Sequence, residues 1–215
     1  METLSQAAER ILQAALRRIA VDGLSATLRT IAEDAGVSAG LIIHHFGSRQ
    51  KLLEACDARV LQVTLEEKTE LLTGDAGTLL TQLAQTEEYA PLVGYVLRRL
   101  QAGGPLAQRL VDDFVEHTVR YLEQGERAGV ISPSRDPRGR ARVLIEMGLG
   151  ALLLQLPAQR DHLDLDELPR WLREYTERII LPMLELYSVP LLTDTSMLDA
   201  YLAGHADATD SADET

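Results

Sequence analysis

A run of three small residues, Ser38-Ala39-Gly40, lies in a stretch that also carries several cations. A helix that enters the major groove of DNA must be slim, with small residues where its backbone approaches a phosphate. Ser38 can offer its hydroxyl there, and the unbonded amides of a first helical turn suit an anionic oxygen. Leu41 and Ile43 cannot donate hydrogen bonds, but they could pack against thymine methyl groups. These residue types therefore suit recognition of a nucleic acid.

The charge balance of the chain is compatible with selective DNA binding. The formal net charge is −12, but residues 1–56 contain six basic and six acidic side chains, so the remaining chain carries all of it. An acidic body repels phosphate, which argues against non-specific coating of DNA. Close to the small-residue run, Arg29, Arg49 and Lys51 can still attract phosphate locally.

Catalytic and metal-binding patterns are weak in this sequence. There is no nucleophile elbow of the G-x-S-x-G type and no phosphate-binding loop. Gly148-Leu149-Gly150 begins like a dinucleotide fingerprint, but it lacks the third glycine and falls inside a predicted helix. The five histidines do not take metal-ligand spacing with carboxylates or cysteine. We therefore predict no catalytic residue, no metal ligand and no cofactor.

Local signals place the small-residue run at the start of the second helix of a pair. Thr27 can cap a short helix, in which Ile31 lies on the apolar face and Ala32 is small enough to admit a neighbouring helix. Gly36 can adopt the left-handed conformation that ends this helix, and Ser38 can cap the next one. Two short helices joined by a glycine-containing turn predict a helix-turn-helix.

This stretch resembles the DNA-binding domain of the TetR family of transcriptional regulators. The resemblance rests on Ile31-Ala32, Ala35-Gly36-Val37-Ser38, Gly40, His45-Phe46, Ser48-Arg49 and Leu52. By position it implies DNA contacts from Thr27, Arg29, Ser38, Ala39, Gly40, Leu41, His44, His45 and Arg49. Ile43 departs from the pattern, because the family usually has a tyrosine there that touches a DNA phosphate. For His45 a packing role at the domain junction remains an equal alternative.

Composition favours a helical protein of the cytoplasm. Hydrophobic residues make up 46% of the chain but aromatic residues only 4%, with Leu and Ala abundant, which favours helices over a β-sandwich. Cys56 is the single cysteine and cannot form an internal disulfide, in agreement with a reducing compartment. No signal peptide is indicated at the N-terminus. The longest apolar run, Met147–Leu154, is far too short to span a membrane.

The patterning and the resemblance together predict an all-α protein with two domains and a tail. Residues 1–47 form a three-helix bundle with the helix-turn-helix, residues 48–204 a helical effector-binding and dimerisation domain entered by a long helix, and residues 205–215 a disordered acidic tail. Beyond the helix-turn-helix, the predicted helices are Ser5–Val21, Arg49–Leu72, Thr78–Tyr89, Pro91–Gln101, Leu106–Ala128, Arg138–Leu156, a helix from Asp164 or Asp166 to Leu184, and Ser196–Leu202.

The resemblance implies that the second domain binds a small-molecule effector and forms a homodimer through two C-terminal helices per subunit. The candidate effector contacts place polar tips or soft sulfur among apolar neighbours, and they are Tyr95, Phe114, His117, Tyr121 and Met147. Ordinary core packing is the alternative for each. We expect a repressor that an effector releases from a palindromic operator in double-stranded DNA. An activator, a ligand-independent regulator or a helical enzyme with a DNA-binding head remain alternatives.

Overall fold

The computed structural model describes residues 4–73, 86–155 and 163–210, which form helices joined by turns and loops, with no strand among them. The helices are α1 Leu4–Asp22, α2 Leu28–Ala35, α3 Ala39–Phe46, α4 Arg49–Thr73, α5 Thr86–Ala102, α6 Gly104–Arg127, α7 Pro137–Gln155, α8 Leu168–Ser188 and α9 Ser196–Asp210, with a 3₁₀ turn at Gly23–Ser25. The predicted all-α fold class is confirmed. None of the described helices is long and apolar enough to cross a bilayer.

Two of the differences between the predicted and observed helix bounds lie at prolines. The predicted helix Thr78–Tyr89 lies largely outside the described residues, and α5 runs through Pro91 without the predicted break. One proline near a helix start removes a single backbone hydrogen bond, which the rest of a 17-residue helix can tolerate. Pro105 occupies the first turn of α6, where its missing N–H costs nothing.

The last helix is longer than predicted. Its observed bounds are Ser196–Asp210, so residues 205–210 are helical where disorder was expected, while residues 211–215 lie outside the described part of the chain. Three alanines between positions 203 and 208 favour helix strongly enough to outweigh the polar composition.

By compactness the chain separates into two units, residues 1–173 and 174–215. In the first unit, one apolar core runs from the α1–α4 bundle into α5 and α6. Its members that are nearly or fully buried include Ile11, Ile19, Ile31, Ile42, Leu52, Cys56, Tyr95 and Leu110. Burial raises the pKa of the Cys56 thiol to about 12. The helix-turn-helix bundle and the start of the second predicted domain therefore share a core.

A buried polar network joins α4 to α5. Arg99 is 2% exposed, and its Nε and Nη2 donate to the two carboxylate oxygens of Asp57 at 3.0 and 2.6 Å. The hydroxyl of Tyr95 lies 2.6 Å from Oδ1 of Asp57, to which it donates, and 3.1 Å from the Leu53 carbonyl. Burial would lower the pKa of Arg99, but its hydrogen bond with Asp57 and the surrounding charge outweigh burial and raise it. The pair is therefore charged and bidentate.

The neighbouring arginine on α5 binds the end of α1. Arg98 is 7% exposed, and its Nε and Nη2 donate to the carbonyls of Ala20 and Val21 at 3.1 and 3.0 Å. The last carbonyls of a helix lack partners within it and carry partial negative charge, so a cation suits them. Gly94 permits this close crossing, because a Cβ there would lie 2.8 Å from that of Ala20.

Three arginines at the start of α7 pair with acids of α6. Arg138 pairs with Glu116, Arg140 with Glu126, and Arg142 with Asp112 at 2.9 Å. These three arginines are therefore not a free basic patch. They hold α7 along α6 through partly exposed ion pairs.

We expect Arg99→Met to lower the free energy of unfolding by about 3 kcal/mol, because it leaves the Asp57 carboxylate, only 15% exposed, without its cation. Arg138→Met is the matched control: its pair with Glu116 is 60% and 44% exposed, so the change should cost less than about 1 kcal/mol. Urea denaturation of both variants measures this. Equal losses would contradict a buried, charged junction between α4 and α5.

Candidate nucleic-acid interface

The start of α2 is held by a reciprocal pair of threonines. The Thr27 hydroxyl accepts from the Thr30 amide at 3.2 Å, and the Thr30 hydroxyl oxygen accepts from the Thr27 amide at 3.1 Å. This capping box satisfies two otherwise unpaired donors and sets where α2 begins. Thr27 is exposed, but its hydroxyl is engaged in the cap.

The turn between α2 and α3 follows the predicted chemistry. Gly36 has φ 64° and ψ 36°, a left-handed conformation that only glycine adopts freely. The Val37 amide then donates to the Ala32 carbonyl at 2.9 Å, which closes the turn. Ser38 caps α3, since its hydroxyl accepts from the Leu41 amide at 3.2 Å. The two helices are therefore set at a defined angle by local bonds.

Burial divides α3 into an inner and an outer face. Ile42 is fully buried, while Leu41 is half-buried. The exposed residues of the helix and its cap are Ser38, Ala39, Gly40, Ile43 and His44. They occupy one side at helical spacing, and the small ones come first. The outer face of α3, defined by these five residues, is thus slim where it begins and carries its larger side chains one turn later.

The two adjacent histidines have different surroundings. His44 is exposed, whereas His45 is half-buried and its Nε2 is buried without a hydrogen-bond partner within the described residues. The His45 ring lies 5.7 Å from that of His44 and 6.4 Å from that of Phe46, centroid to centroid. His44 therefore lies on the surface that DNA could reach, while the packing alternative for His45 gains support.

Arg29 and Arg49, both predicted to contact phosphate, also differ. The Arg29 side chain is 87% exposed and pairs with Glu33 on the next turn, at 3.1 Å. The Nη2 of Arg49 instead donates to the carbonyls of Leu24 and Ala26. This bond ties the start of α4 to the segment that precedes α2. Nothing local in the sequence signals a contact over 25 residues, and the phosphate contact of Arg49 stays a prediction.

Arg18 is a second positioning residue that the sequence pattern did not indicate. Its Nε and Nη2 donate to the two carboxylate oxygens of Asp34, both at 2.6 Å, and its Nη1 donates to Asp22. A bidentate arginine–carboxylate pair fixes direction as well as distance. It therefore orients α2 on α1, and it removes one cation from those available to phosphate.

The five candidate effector contacts do not form one group. Tyr95 and Phe114 lie in the same buried core, with the Tyr95 hydroxyl engaged by Asp57. Tyr121 is half-buried against a separate cluster of Val115, Leu122 and Ala141. Of these three candidates, Tyr95 and Phe114 are therefore brought together in one core, while Tyr121 lies against another.

The burial and hydrogen bonding of His117 fit those of a residue that contacts a ligand. It is half-buried on α6, and its Nδ1 is buried with no hydrogen-bond partner among the described residues. Burial lowers the pKa of His117, and the charge of Arg120 lowers it further. The ring is therefore neutral at pH 7 and can offer one donor and one acceptor.

Met147, a predicted effector contact, lies on the exposed side of α7. It is 51% exposed, because the side of α7 that packs inward carries Ala141, Leu144 and Ile145 instead. Val143, one turn earlier than Met147, is 54% exposed on the same side. Because both faces of α7 are hydrophobic, its sequence pattern does not show which face packs inward.

Two family models match the chain. Residues 11–56 match the model described as bacterial regulatory proteins, tetR family, and residues 87–193 match the tetracyclin repressor-like C-terminal domain. The HTH-type transcriptional regulatory protein RaaS of Mycobacterium tuberculosis is 44% identical over 195 residues, covering 90% of this chain and 91% of that protein. The HTH-type transcriptional regulator BetI of Stenotrophomonas maltophilia is 36% identical over 70 residues, 32% of this chain and 35% of BetI.

Solved structures show the same fold. A protein from Rhodococcus sp. assigned to the TetR family superposes with a TM-score of 0.55 at 22% identity, over 81% of this chain and 98% of its own. Another such protein, from Mesorhizobium loti, gives a TM-score of 0.50 at 18% identity, over 85% of this chain and 98% of its own. At these identities the likeness concerns the fold alone.

The different roles of Arg29 and Arg49 can be tested by comparing the stability and DNA binding of two variants. Arg49→Met should lower the free energy of unfolding by about 1.5–3 kcal/mol, since it removes part-buried hydrogen bonds from a charged group to the Leu24 and Ala26 carbonyls. Arg29→Met should change it by less than about 0.5 kcal/mol and reduce the slope of log K against log salt for DNA binding by about one unit. Equal stabilities of the two variants would contradict the positioning role of Arg49.

Proposed function

Since the chain belongs to the TetR family of bacterial transcriptional regulators, we propose that it is a homodimeric repressor that an effector releases from a palindromic operator. The outer face of α3 carries this proposal. A slim, uncharged helix start lies exposed on a bundle whose other side is buried. That shape fits the major groove, where backbone amides at the helix start can meet a phosphate. His44 and Arg29 are the exposed polar and cationic groups best placed to add contacts.

Two helices offer surfaces for a second copy of the chain. On α7 the exposed large apolar residues are Val143, Met147, Leu153 and Leu154. On α8 they are Leu181, Leu184, Leu186 and Tyr187. Covering such residues is favourable by about 25 cal/mol per Å² of apolar surface. A two-fold dimer would present two α3 helices, and it would therefore prefer a two-fold symmetric site.

An effector site on α6 is supported by the spacing of its residues. Phe114, His117 and Tyr121 recur at i, i+3 and i+7, so they lie on one side of the helix. We propose that a largely apolar ligand with one hydrogen-bonding group contacts this side, because His117 is a neutral group whose Nδ1 has no hydrogen-bond partner among the described residues. A ligand that favours the released state by about 1–3 kcal/mol would weaken operator binding about 5–150-fold.

We further propose that the protein acts in the cytoplasm, where its operator DNA is found and where a single thiol stays reduced. Nothing in the described residues favours the alternatives of an activator, a ligand-independent regulator or an enzyme with a DNA-binding head. Each has a distinct signature: transcription that rises on binding, operator affinity that no ligand alters, or turnover of a bound compound.

Selection of sequences from a pool of random DNA duplexes tests the proposal directly. We expect the purified protein to enrich one palindromic sequence, and the Gly40→Glu variant to lose binding to it because bulk and negative charge would then face phosphate. A Cβ at Gly40 meets only the Ser38 hydroxyl oxygen at 3.8 Å, so the variant should fold.

Gly204→Glu is the matched control for this experiment. Gly204 is an exposed helical glycine with nothing within 4 Å of an added Cβ, and it lies on α9. This variant should bind like the parent chain. Undiminished binding by folded Gly40→Glu would refute α3 as the DNA-reading helix. The enriched duplex then serves to screen small molecules for release.

The dimer surface yields a further prediction. Met147→Glu should weaken dimerisation about 10-fold or more, because association would bury an unpaired charge at a cost above 1.4 kcal/mol. Val130→Glu is the control, since Val130 is 57% exposed in the loop after α6. Sedimentation equilibrium measures both dissociation constants. A dimer unaffected by Met147→Glu would exclude this side of α7 from the interface.

A further inference from the structure

We propose that Ile43 determines sequence specificity by packing against the 5-methyl group of a thymine in each operator half-site. The inference rests on the proposed function and names what the outer face of α3 reads.

The first support is the chemistry that the outer face of α3 lacks. From Ala39 to Phe46 the helix contains no arginine, lysine, asparagine, glutamine or carboxylate. Those are the side chains that read guanine, adenine or cytosine through hydrogen bonds to their major-groove edges. The bidentate pairs that usually specify a base are therefore unavailable to this helix.

The remaining polar groups of the helix are mostly engaged or turned inward. The Ser38 hydroxyl accepts the Leu41 amide, and the Nε2 of His45 is buried. His44 is left as the exposed hydrogen-bonding side chain of α3. One imidazole alone specifies few positions, so apolar contact has to supply part of any discrimination between bases.

Ile43 is placed to supply that contact. It is 42% exposed, and the residues three and four positions before it, Gly40 and Ala39, are too small to shield it from an approaching groove. A β-branched side chain in a helix holds essentially one χ1 rotamer, so ordering it on DNA costs little entropy. In the major groove the thymine methyl is the apolar group that a base pair offers. An exposed, rigid aliphatic side chain therefore matches thymine and no other base.

The test uses the duplex enriched by the selection described above, with each thymine replaced singly by deoxyuridine. This exchange deletes one methyl group and leaves all base-pair hydrogen bonds in place. For the parent chain we expect one symmetry-related thymine per half-site at which the exchange weakens binding about fourfold, the value of one buried methyl-sized group. Fluorescence anisotropy titrations at fixed salt measure the affinities.

Variants assign the methyl contact to Ile43. Ile43→Ala should bind the thymine and deoxyuridine duplexes equally at that position, whereas Ile43→Val, which keeps the branched Cβ, should retain part of the difference. His44→Ala should retain all of it. Because Ile43 and His44 both lie on the exposed outer face of α3, we expect the variants to remain folded, which circular dichroism checks.

The outcomes separate this inference from the function on which it rests. Enrichment of a sequence in which no thymine methyl matters, or an undiminished deoxyuridine penalty in Ile43→Ala, overturns the role of Ile43 and leaves the DNA-binding function standing. Failure to enrich any sequence overturns both. A penalty that disappears with Ile43→Ala and survives in His44→Ala establishes the contact.

Discussion

The first unit of the molecule depends on two adjacent buried arginines of α5 that bind in different directions. Arg99 pairs with Asp57 on α4, and Arg98 donates to the last carbonyls of α1. Removing each guanidinium from water costs several kcal/mol, which only complete hydrogen bonding offsets. These bonds are directional, so the helix-turn-helix bundle cannot slide on α5 as it could on an apolar surface alone. A displacement of α5 would therefore be transmitted to α1 and α4.

Directional bonds from arginine side chains also orient the helices within the α1–α4 bundle. The Arg18–Asp34 pair orients α2 on α1, and Arg49 ties the start of α4 to the segment before α2. These bonds fix the positions of the helices around α3. Ile42 can therefore fill the core while the opposite side of α3 faces solvent. Two cations of this bundle thus orient its helices, while the other four basic side chains of residues 1–56 are exposed.

Features governed by neighbours in sequence were predictable here, and features governed by distant contacts were not. The Thr27 cap, the left-handed Gly36 and the Ser38 cap each depend on bonds spanning five residues or fewer, so residue type was enough to predict them. The carbonyl partners of Arg49 lie 23 and 25 residues away, which no local pattern encodes. The exposure of Met147 was unpredictable for a different reason: α7 is apolar on both faces, so periodicity could not say which side turns inward.

The fully buried Cys56 has a practical consequence. With its pKa raised to about 12 by desolvation, this sole thiol of the chain stays protonated and poorly nucleophilic in ordinary buffers. The parent sequence is therefore a ready background for maleimide labelling, without first removing a native cysteine. A single fluorophore or spin label introduced on the surface would report the distance between its two copies in a symmetric assembly, with and without DNA.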